Sequence, residues 1–498
     1  MKRRIIFGVV IVAVILAIIS VATSCKMKKN THYEPNWESL SKHNQAPEWF
    51  ADAKLGIYFH WGVYSVPAYG SEWYPRRMYQ DEGDVARYHR ETFGAPEEFN
   101  YHDFVPMFKA EKFDAADWVQ LFKAAGAKFS GPVAEHHDGF AMWKSKVNPW
   151  NVSDKGPKRD ITGELTKELR ANNMKLITTF HHSRHLQRYK KDTLHWGGWH
   201  SHFPYNPKYA TSSEDPELRK LYGNMEEAEW DEYWFDQLKE VIDQYDPDII
   251  WFDAWLNLIP EKNRQKFAAY YFNEAQKKNQ EVVIAYKQND MPSSVGVKDI
   301  EQGGKKELAE SVWMTDVTIS YGSWCYTKNQ TYKDPGLVIR NMIDVWSKNG
   351  VVLLNVSPKA DGSISQEQRD CLHEIGDWMN TYGEAVYNTR PWTIYGFGST
   401  NASEGRHEGQ SATTKYSASD IRFTRSKDNK SIYIFFLGKP HVGEKIEIEW
   451  FKGESHPTPT PVKRIIEMSS GKSVEWENLE STSFVTVPDA PMNEFATA

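Results

Sequence analysis

Cysteine is scarce in this sequence, which limits what covalent or metal links could hold the fold together. Only 3 cysteines occur among 498 residues, with no CxxC pair and no spacing typical of a metal site. One disulfide between Cys325 and Cys371 would not make a disulfide framework in a chain of this length. A single disulfide and two buried free thiols both agree with the sequence.

The sequence also lacks an excess of positive charge. Lys and Arg number 60 against 67 Asp and Glu, so the formal net charge is −7. An acidic chain without a basic run is a poor candidate for binding nucleic acid. We therefore expect no nucleic-acid partner.

The N-terminus has the pattern of a targeting segment. The basic residues KRR at 2–4 precede a long apolar run, which ends in ATSC with Cys25 as its last residue. Small residues before a cysteine resemble a lipobox, which predicts a signal peptide over 1–24, lipidation at Cys25 and a polar tether over 25–35. We expect a bacterial cell-envelope lipoprotein, periplasmic or at the outer membrane. An uncleaved membrane anchor is the alternative, because the run is near spanning length.

Apolar runs alternate with amphipathic stretches over most of the remaining chain. This alternation predicts parallel strands separated by helices, and its length favours a (β/α)8-like (TIM-type) barrel over 36–392. Predicted strands are 55–61, 128–134, 175–182, 248–255, 281–287, 313–319 and 350–356. Predicted helices are 113–127, 161–173, 232–245, 263–279, 335–349 and 365–383.

The pattern changes after Trp392. Residues 393–498 contain short alternating segments such as DIRFTRS, SIYIFFLG and KIEIEWF, with turn residues between them and few helical stretches. This pattern predicts a C-terminal antiparallel β-sandwich.

Polar and titratable side chains gather where the predicted barrel strands end. In a (β/α)8 barrel, reactive groups lie at the carboxyl ends of the strands. The predicted strands end at or are followed by His60, the segment 135–138, the pair His181 and His182, Asp253 and Lys287. Aromatic residues are abundant at 14%, with 20 Trp, which suits either stacking on sugar rings or large aromatic cores.

Asp253 is the sharpest of these candidates because it follows the apolar strand DIIWF. A carboxylate at such a position is costly unless it is hydrogen-bonded or has a function. A retaining glycosidase needs one carboxylate as nucleophile and a second carboxyl group as acid and then base. The structural alternative is an ion pair with Lys287 on the next strand.

Several blocks of sequence, taken in order, resemble glycoside hydrolase family 29, the α-L-fucosidases. These blocks are residues 49–79, 136–143 (HHDGFAMW), 248–255 (DIIWFDAW), 323–326 (SWCY), 355–364 and 383–392. The resemblance implies an exo-acting enzyme that releases terminal α-L-fucose from a fucosylated oligosaccharide or glycoconjugate, with Asp253 as nucleophile. It also implies a substrate-binding role for His60, Trp61, Glu72, Trp73, His136, His137, Lys287, Trp324 and Tyr326.

The acid/base is where the sequence departs from the family pattern. Met314 stands where many members have a Glu, and a methionine cannot transfer a proton. Glu301, in the polar segment DIEQGG, is the first choice for this role. Glu72 is the second choice and Asp316 the third.

Two rival interpretations remain open at this stage. The loss of a carboxyl group at Met314 also admits an inactive carbohydrate-binding lipoprotein of the same fold, and the substrate could be another 6-deoxy sugar or a galactoside. A metal site at His136, His137 and Asp138 is disfavoured, because adjacent residues seldom bind one ion together and a strand-one HxH motif is missing. We expect neither a metal nor another cofactor.

Overall fold

A computed structural model describes residues 32–191, 200–402, 411–448, 462–479 and 482–498. The predicted signal peptide, the lipidation site Cys25 and most of the tether lie outside these described residues. Within these ranges, no helix is both long enough and apolar enough to cross a membrane.

Eight parallel strands form the barrel sheet, in the order β6-β5-β4-β3-β2-β1-β8-β7. They are β1 Leu55–Phe59, β2 Phe129–Glu135, β3 Lys175–Phe180, β4 Ile249–Phe252, β5 Val283–Tyr286, β6 Val297–Lys298, β7 Trp313–Thr318 and β8 Gly350–Val356. The two ends of this sheet approach each other through a parallel bridge between Asp299 and Met314. The prediction of a (β/α)8-like barrel is confirmed. The two-residue strand β6 was not predicted, because no hydrophobic run marks it in the sequence.

Helices cover the outside of the sheet. In the described residues these are α1 Trp37–Leu40, α2 Glu48–Ala53, α3 Tyr74–Arg77, α4 Asp84–Thr92, α5 Ala115–Ala124, α6 Ile161–Ala171, α7 Pro216–Tyr222, α8 Glu227–Tyr245, α9 Glu261–Lys277, α10 Pro335–Ser347 and α11 Gln366–Tyr382. The six predicted helices are all present. Several begin at an acidic cap: the Asp114 side chain accepts from two amides of α5 and the Asp334 side chain from Leu337 N of α10, which satisfies amides left open at a helix start.

Side chains of the barrel strands alternate between two cores. In β1, Ile57 and Phe59 point outward into the large core under the helices, whereas Tyr58 points inward. All eight strands contribute a side chain to the inner core. Side chains from all the strands can meet only in the barrel interior, so this core fills the barrel. This alternation decides which residue at each strand end points into the mouth of the barrel.

The C-terminal region forms two antiparallel three-stranded sheets, ordered β11-β10-β9 and β12-β14-β13. The strands are β9 Thr389–Phe397, β10 Ile421–Ser426, β11 Ile432–Phe436, β12 Lys445–Ile448, β13 Glu475–Leu479 and β14 Thr482–Thr486. Residues of both sheets share one core that includes Phe423 and Val485, as in a sandwich. The first strand begins at Thr389, so it crosses the boundary drawn at 392/393.

Both cysteines of the described region are free thiols. Cys325 and Cys371 are buried and unpaired with each other. Of the two alternatives that the sequence left open, the structure therefore has the free thiols.

Candidate active site

The inner faces of the strands lead directly to a cluster of polar groups at the mouth of the barrel. Side chains two positions apart point the same way on a strand, so each interior apolar residue is followed by a group facing the mouth. Five strands show this step: Tyr58 to His60, Trp251 to Asp253, Ala285 to Lys287, Met314 to Asp316, and Leu353 to Asn355. His181 follows Ile177 and Thr179 on β3 in the same way.

Lys287 lies at the centre of the acidic part of this cluster. Its Nζ is 2.6 Å from Glu301 Oε2, 3.2 Å from Asp253 Oδ1 and 3.2 Å from Asp316 Oδ2. The side chain is buried, and burial alone would lower the pKa of Lys287, but the surrounding carboxylates, Asp316 first, raise it well above the usual range. Lys287 is therefore a permanent ammonium ion, as its three acidic neighbours require.

The positions of these carboxylates limit which of them can act together. Asp253 Oδ1 and Glu301 Oε2 lie within hydrogen-bonding reach of one nitrogen, so they are at most the sum of those two distances, 5.8 Å, apart. The two carboxyl groups of a retaining glycosidase are about 5–5.5 Å apart. Asp316 is also close enough to Asp253 by this criterion. The distance alone therefore does not decide between Asp316 and Glu301 as the second carboxyl group, and their surroundings must be compared.

Asp316 is already occupied by contacts inside the barrel. Its Oδ2 accepts a hydrogen bond from Tyr58 Oη at 3.0 Å, and its side chain is 2% exposed against 21% for Glu301. Asp299 lies close to it: burial and then the charge of Asp316 raise the pKa of Asp299 well above its usual range. Asp316 thus supports Lys287 from below, and Glu301 is the carboxyl group nearer the solvent.

Backbone hydrogen bonds fix Glu301 at the closing seam of the barrel. Ile300 N donates to Met314 O at 2.9 Å and Gln302 N donates to Asp316 O at 2.8 Å, so the segment after β6 pairs with β7. Burial raises the pKa of Glu301, although the neighbouring Lys287 ammonium opposes the shift. The residues on either side of Glu301 are therefore hydrogen-bonded to β7, which positions Glu301 at the mouth.

Met314 lies one layer below these acids. Its side chain is fully buried in the inner core with Tyr58 and Trp251. Because alternate residues of β7 point inward, Asp316 is the residue of this strand that reaches the mouth. Residue 314 therefore supplies no carboxyl group, but the site still contains Glu301 opposite Asp253.

The Asp253 carboxylate is held in its charged form. Burial would raise its pKa, but Lys287 and a contact from His137 Nε2 to Asp253 Oδ2 at 3.4 Å hold the pKa well below its usual range. A carboxylate held in its ionised form beside a carboxyl group of raised pKa is the division of roles that glycoside hydrolysis uses.

Four histidines form the other side of the mouth. The ring centroids of His60, His136 and His181 are 4.6 to 5.6 Å apart, and His137 contacts both His136 and His181. Burial lowers the pKa of His60 and of His137 to about 4, and it holds the pKa of His136 and of His181 well below the usual range. These neutral imidazoles can each donate and accept, which suits sugar hydroxyl groups.

Asn355 orients His60 and was not foreseen from the sequence. Asn355 Nδ2 donates to Trp324 O at 2.7 Å, so its Oδ1 is free to accept from His60 Nδ1, also at 2.7 Å. The Nδ1 atom of His60 therefore carries the proton, and Nε2 faces the pocket as an acceptor. Asn355 and His181 could have been found by extending the inward alternation of β8 and β3 by one step.

The histidine cluster also has a geometry that could hold a metal ion. One nitrogen each from His60, His136 and His181 lie within 4.8 Å of one another. Imidazole nitrogens suit zinc or copper ions. In this candidate site His136 is joined by histidines that follow two other strands. It differs from the candidate considered from the sequence alone, which combined His136 with His137 and Asp138.

Glu72 and Trp73 lie beside the histidines and the acids. Glu72 Oε2 accepts from Trp324 N at 3.1 Å, and burial raises its pKa. The Trp73 ring is 5.0 Å from that of His137, and the Trp324 ring is 5.2 Å from that of His60. These contacts bring the predicted pocket residues together around one opening.

One predicted pocket residue lies elsewhere, and the role of a second, Tyr326, stays a prediction. Trp61 was expected to line the pocket, but it is fully buried in the outer core against Phe113 and Trp118, and its Nε1 donates to Lys359 O at 2.7 Å. The prediction is wrong because Trp61 is one residue past the inward-facing His60 and so faces the helices. Tyr326 packs under the Lys359 ammonium, 5.4 Å from the ring centroid, and no described contact joins it to the histidines.

A barrel with a buried, opposed pair of carboxyl groups and a lining of neutral imidazoles defines a glycoside hydrolase. The chain matches the family model described as alpha-L-fucosidase over residues 20–384, and it belongs to this family. Rat tissue alpha-L-fucosidase is 30% identical over 456 residues, which cover 87% of this chain and 88% of the relative. Human plasma alpha-L-fucosidase is 27% identical over 93% of this chain and 89% of its own.

The solved structures agree with this assignment. The crystal structure of Thermotoga maritima alpha-fucosidase in complex with fucose is 29% identical, covers 92% of this chain and 96% of its own, and superposes with a TM-score of 0.71. The protein is thus a glycosyl hydrolase that releases α-L-fucose. These relatives are named as enzymes and give no support to the alternative of an inactive sugar-binding protein.

Proposed function

We propose that the chain is an exo-acting retaining α-L-fucosidase that uses Asp253 as nucleophile and Glu301 as acid/base. The observation that carries this proposal is the separation of at most 5.8 Å between Asp253 Oδ1 and Glu301 Oε2. That value leaves no room for the water molecule that an inverting enzyme places between carboxyl groups about 6.5–9.5 Å apart.

In the first step, Asp253 attacks the anomeric carbon and Glu301 protonates the leaving oxygen. The bond from the anomeric carbon to that oxygen breaks, and a covalent fucosyl-enzyme forms at Asp253. The raised pKa of Glu301 keeps its proton available, and the lowered pKa of Asp253 keeps its charge. The neutral histidines and Trp73 orient the sugar by hydrogen bonds and ring contact.

In the second step, Glu301 takes a proton from a water molecule, which attacks the same carbon and releases Asp253. Two inversions give net retention. The deep burial of His60, His136 and His137 makes a pocket closed at its base, which fits a terminal sugar better than an internal one. Support also comes from the Thermotoga maritima relative, which has been solved with a mechanism-based inhibitor.

Trapping of the intermediate and product stereochemistry test this mechanism. A 2-fluoro-fucosyl fluoride should inactivate the enzyme and label the peptide that contains Asp253, and NMR of early product should show α-L-fucose. Asp253→Ala should abolish turnover of an aryl α-L-fucoside, whereas Asp236→Ala, at an exposed position of α8, serves as the control. Early release of β-L-fucose, or a label on another residue, would reject the proposed roles.

We also propose that the mature chain is a bacterial cell-envelope lipoprotein anchored at Cys25. The basic residues at 2–4, the apolar run and the small residues before Cys25 support this placement. A Cys25→Ser variant should lose incorporation of labelled fatty acid and should no longer fractionate with membranes. Fatty-acid labelling that persists in this variant would exclude Cys25, and membrane association without labelling would favour an uncleaved anchor.

A further inference from the structure

Arg184 is a buried cation at the edge of the active site. It ends the short 3₁₀ turn His182–Arg184 that follows β3, and 8% of the residue is exposed. In the part of the chain that the structure describes, no carboxylate lies within ion-pair distance, and Arg184 Nε is buried without a hydrogen-bond partner. An unpaired buried charge costs several kcal/mol, so its presence calls for a function.

The guanidinium lies between two tryptophan rings. Arg184 Cζ is 5.3 Å from the Trp73 ring centroid and 5.8 Å from that of Trp255. Both distances are within the range of cation–π attraction, about 6 Å. These contacts hold the guanidinium in place, and within the described residues they leave Nε without a hydrogen-bond acceptor.

The two tryptophans have different surroundings, which places Arg184 on the path out of the pocket. Trp73 contacts His137 of the fucose pocket at 5.0 Å. Trp255 contacts His200 at 4.9 Å, and His200 contacts Tyr189, which is exposed. Arg184 therefore lies between the sugar pocket and an outer aromatic rim, where the leaving group of a bound fucoside must pass.

Trp255 is held in this position by an unusual backbone. Its φ angle is 73°, in the left-handed region that bulky residues rarely adopt because it is strained. Asp290 Oδ2 accepts from Leu256 N at 2.8 Å and fixes the turn. Strain of this kind is common at binding sites, and here it directs the indole towards Arg184, two residues after the nucleophile.

We propose that Arg184, between Trp73 and Trp255, is an anion-accepting part of the leaving-group subsite, so that the preferred substrates carry a sulfate or carboxylate on the unit that bears the fucose. A guanidinium offers a planar fork of donors that fits either group. The indoles supply a face for the ring of that unit. This inference rests on the proposed fucosidase activity and adds a substrate class to it.

Three fucosides of equal leaving ability test the proposal: 4-carboxybenzyl, 4-(sulfooxymethyl)benzyl and 4-carbamoylbenzyl α-L-fucoside. At low ionic strength the wild type should show kcat/KM about 10-fold higher on at least one charged substrate than on the neutral amide, and salt should reduce this advantage. Arg184→Gln should bring the ratio close to one, and Arg184→Lys should keep part of it. The more favoured anion identifies sulfate or carboxylate as the source.

Arg188→Gln is the matched control, because the Arg188 guanidinium donates to the main-chain oxygens of His200 and Leu258. This variant should keep the ratio of the wild type. The inference is overturned if the wild-type ratio is near one, if Arg184→Gln keeps the preference, or if that variant lowers all three rates equally. The neutral amide distinguishes failure of this inference from failure of the proposed fucosidase activity. If the wild type does not hydrolyse the neutral amide at all, the fucosidase activity itself is rejected.

Discussion

Asp253 and Glu301 share one counter-ion, since Lys287 Nζ lies 3.2 Å from the first and 2.6 Å from the second. The lowered pKa of Asp253 favours its charged form before the reaction, and the raised pKa of Glu301 favours its protonated form. In the proposed fucosyl-enzyme the charges would exchange, because Asp253 would be esterified and Glu301 would have lost its proton. Lys287 therefore faces one carboxylate of this pair at each stage, with Asp316 as a constant neighbour, and it can follow the charge without moving far.

Two replacements of Lys287 should distinguish the effect of its charge on activity from the effect of its side-chain volume. We expect Lys287→Met to lower kcat/KM about 10²–10³-fold, the size of effect found for a removed electrostatic donor. Lys287→Arg should retain most of the activity because the cation remains. Steady-state kinetics with an aryl α-L-fucoside measure both. Equal losses in the two variants would show that the charge is not what matters.

Glu301→Gln and Glu72→Gln should respond differently to the leaving group. A missing general acid costs about 10²–10⁴-fold, and it matters most when the leaving group is a poor one. Glu301→Gln should therefore fail on a fucosyl disaccharide but keep much of its rate with a good aryl leaving group. Glu72→Gln should reduce both rates by a similar factor. The reverse pattern would transfer the acid/base role to Glu72.

The pH profile should follow the opposite shifts of the two acids. The pKa of Asp253 is held well below its usual range, so this carboxylate stays ionised and the acidic limb should lie below pH 3.8. The pKa of Glu301 is raised above 4.5, so the rate should fall as pH rises through it. Lys287 lowers both values, and Lys287→Met should move both limbs of kcat/KM to higher pH. An alkaline limb that persists in Glu301→Gln would contradict this assignment.

Metal ions should not be needed, but zinc should inhibit. The proposed steps use carboxyl groups alone, so treatment with EDTA should leave kcat unchanged. Zinc could bind the nitrogens of His60, His136 and His181, which lie within 4.8 Å of one another, and should compete with fucose. Magnesium, which prefers oxygen ligands, is the control. Activity lost in EDTA and restored by a metal would refute the metal-free mechanism.

Trp61 and Trp324 should separate stability from binding. Trp61 is fully buried in the outer core, so Trp61→Ala should destabilise the fold by about 3–5 kcal/mol while the folded fraction keeps its KM. Trp324 packs on His60, so Trp324→Ala should raise KM. Denaturant unfolding and steady-state kinetics measure the two effects. A raised KM with normal stability in Trp61→Ala would contradict this prediction and would indicate that Trp61 contacts the substrate.

The sequence by itself determined the barrel and the positions of Asp253 and Lys287. Their strands are apolar and regular, and the alternation of a strand dictates that the residue two steps beyond an interior side chain faces the mouth. The same rule explains the error at Trp61, which is adjacent to His60 and so has the opposite direction.

Only the tertiary structure decided the environment of Glu301. Strand β6 has two residues and no hydrophobic pattern, so its pairing with β7, which sets Glu301 beside Lys287, could not be read locally. The place of Arg184 between Trp73 and Trp255 joins three distant segments of the chain. Local patterns fix which face of a strand a residue occupies, whereas distances between groups on different strands depend on how the barrel closes.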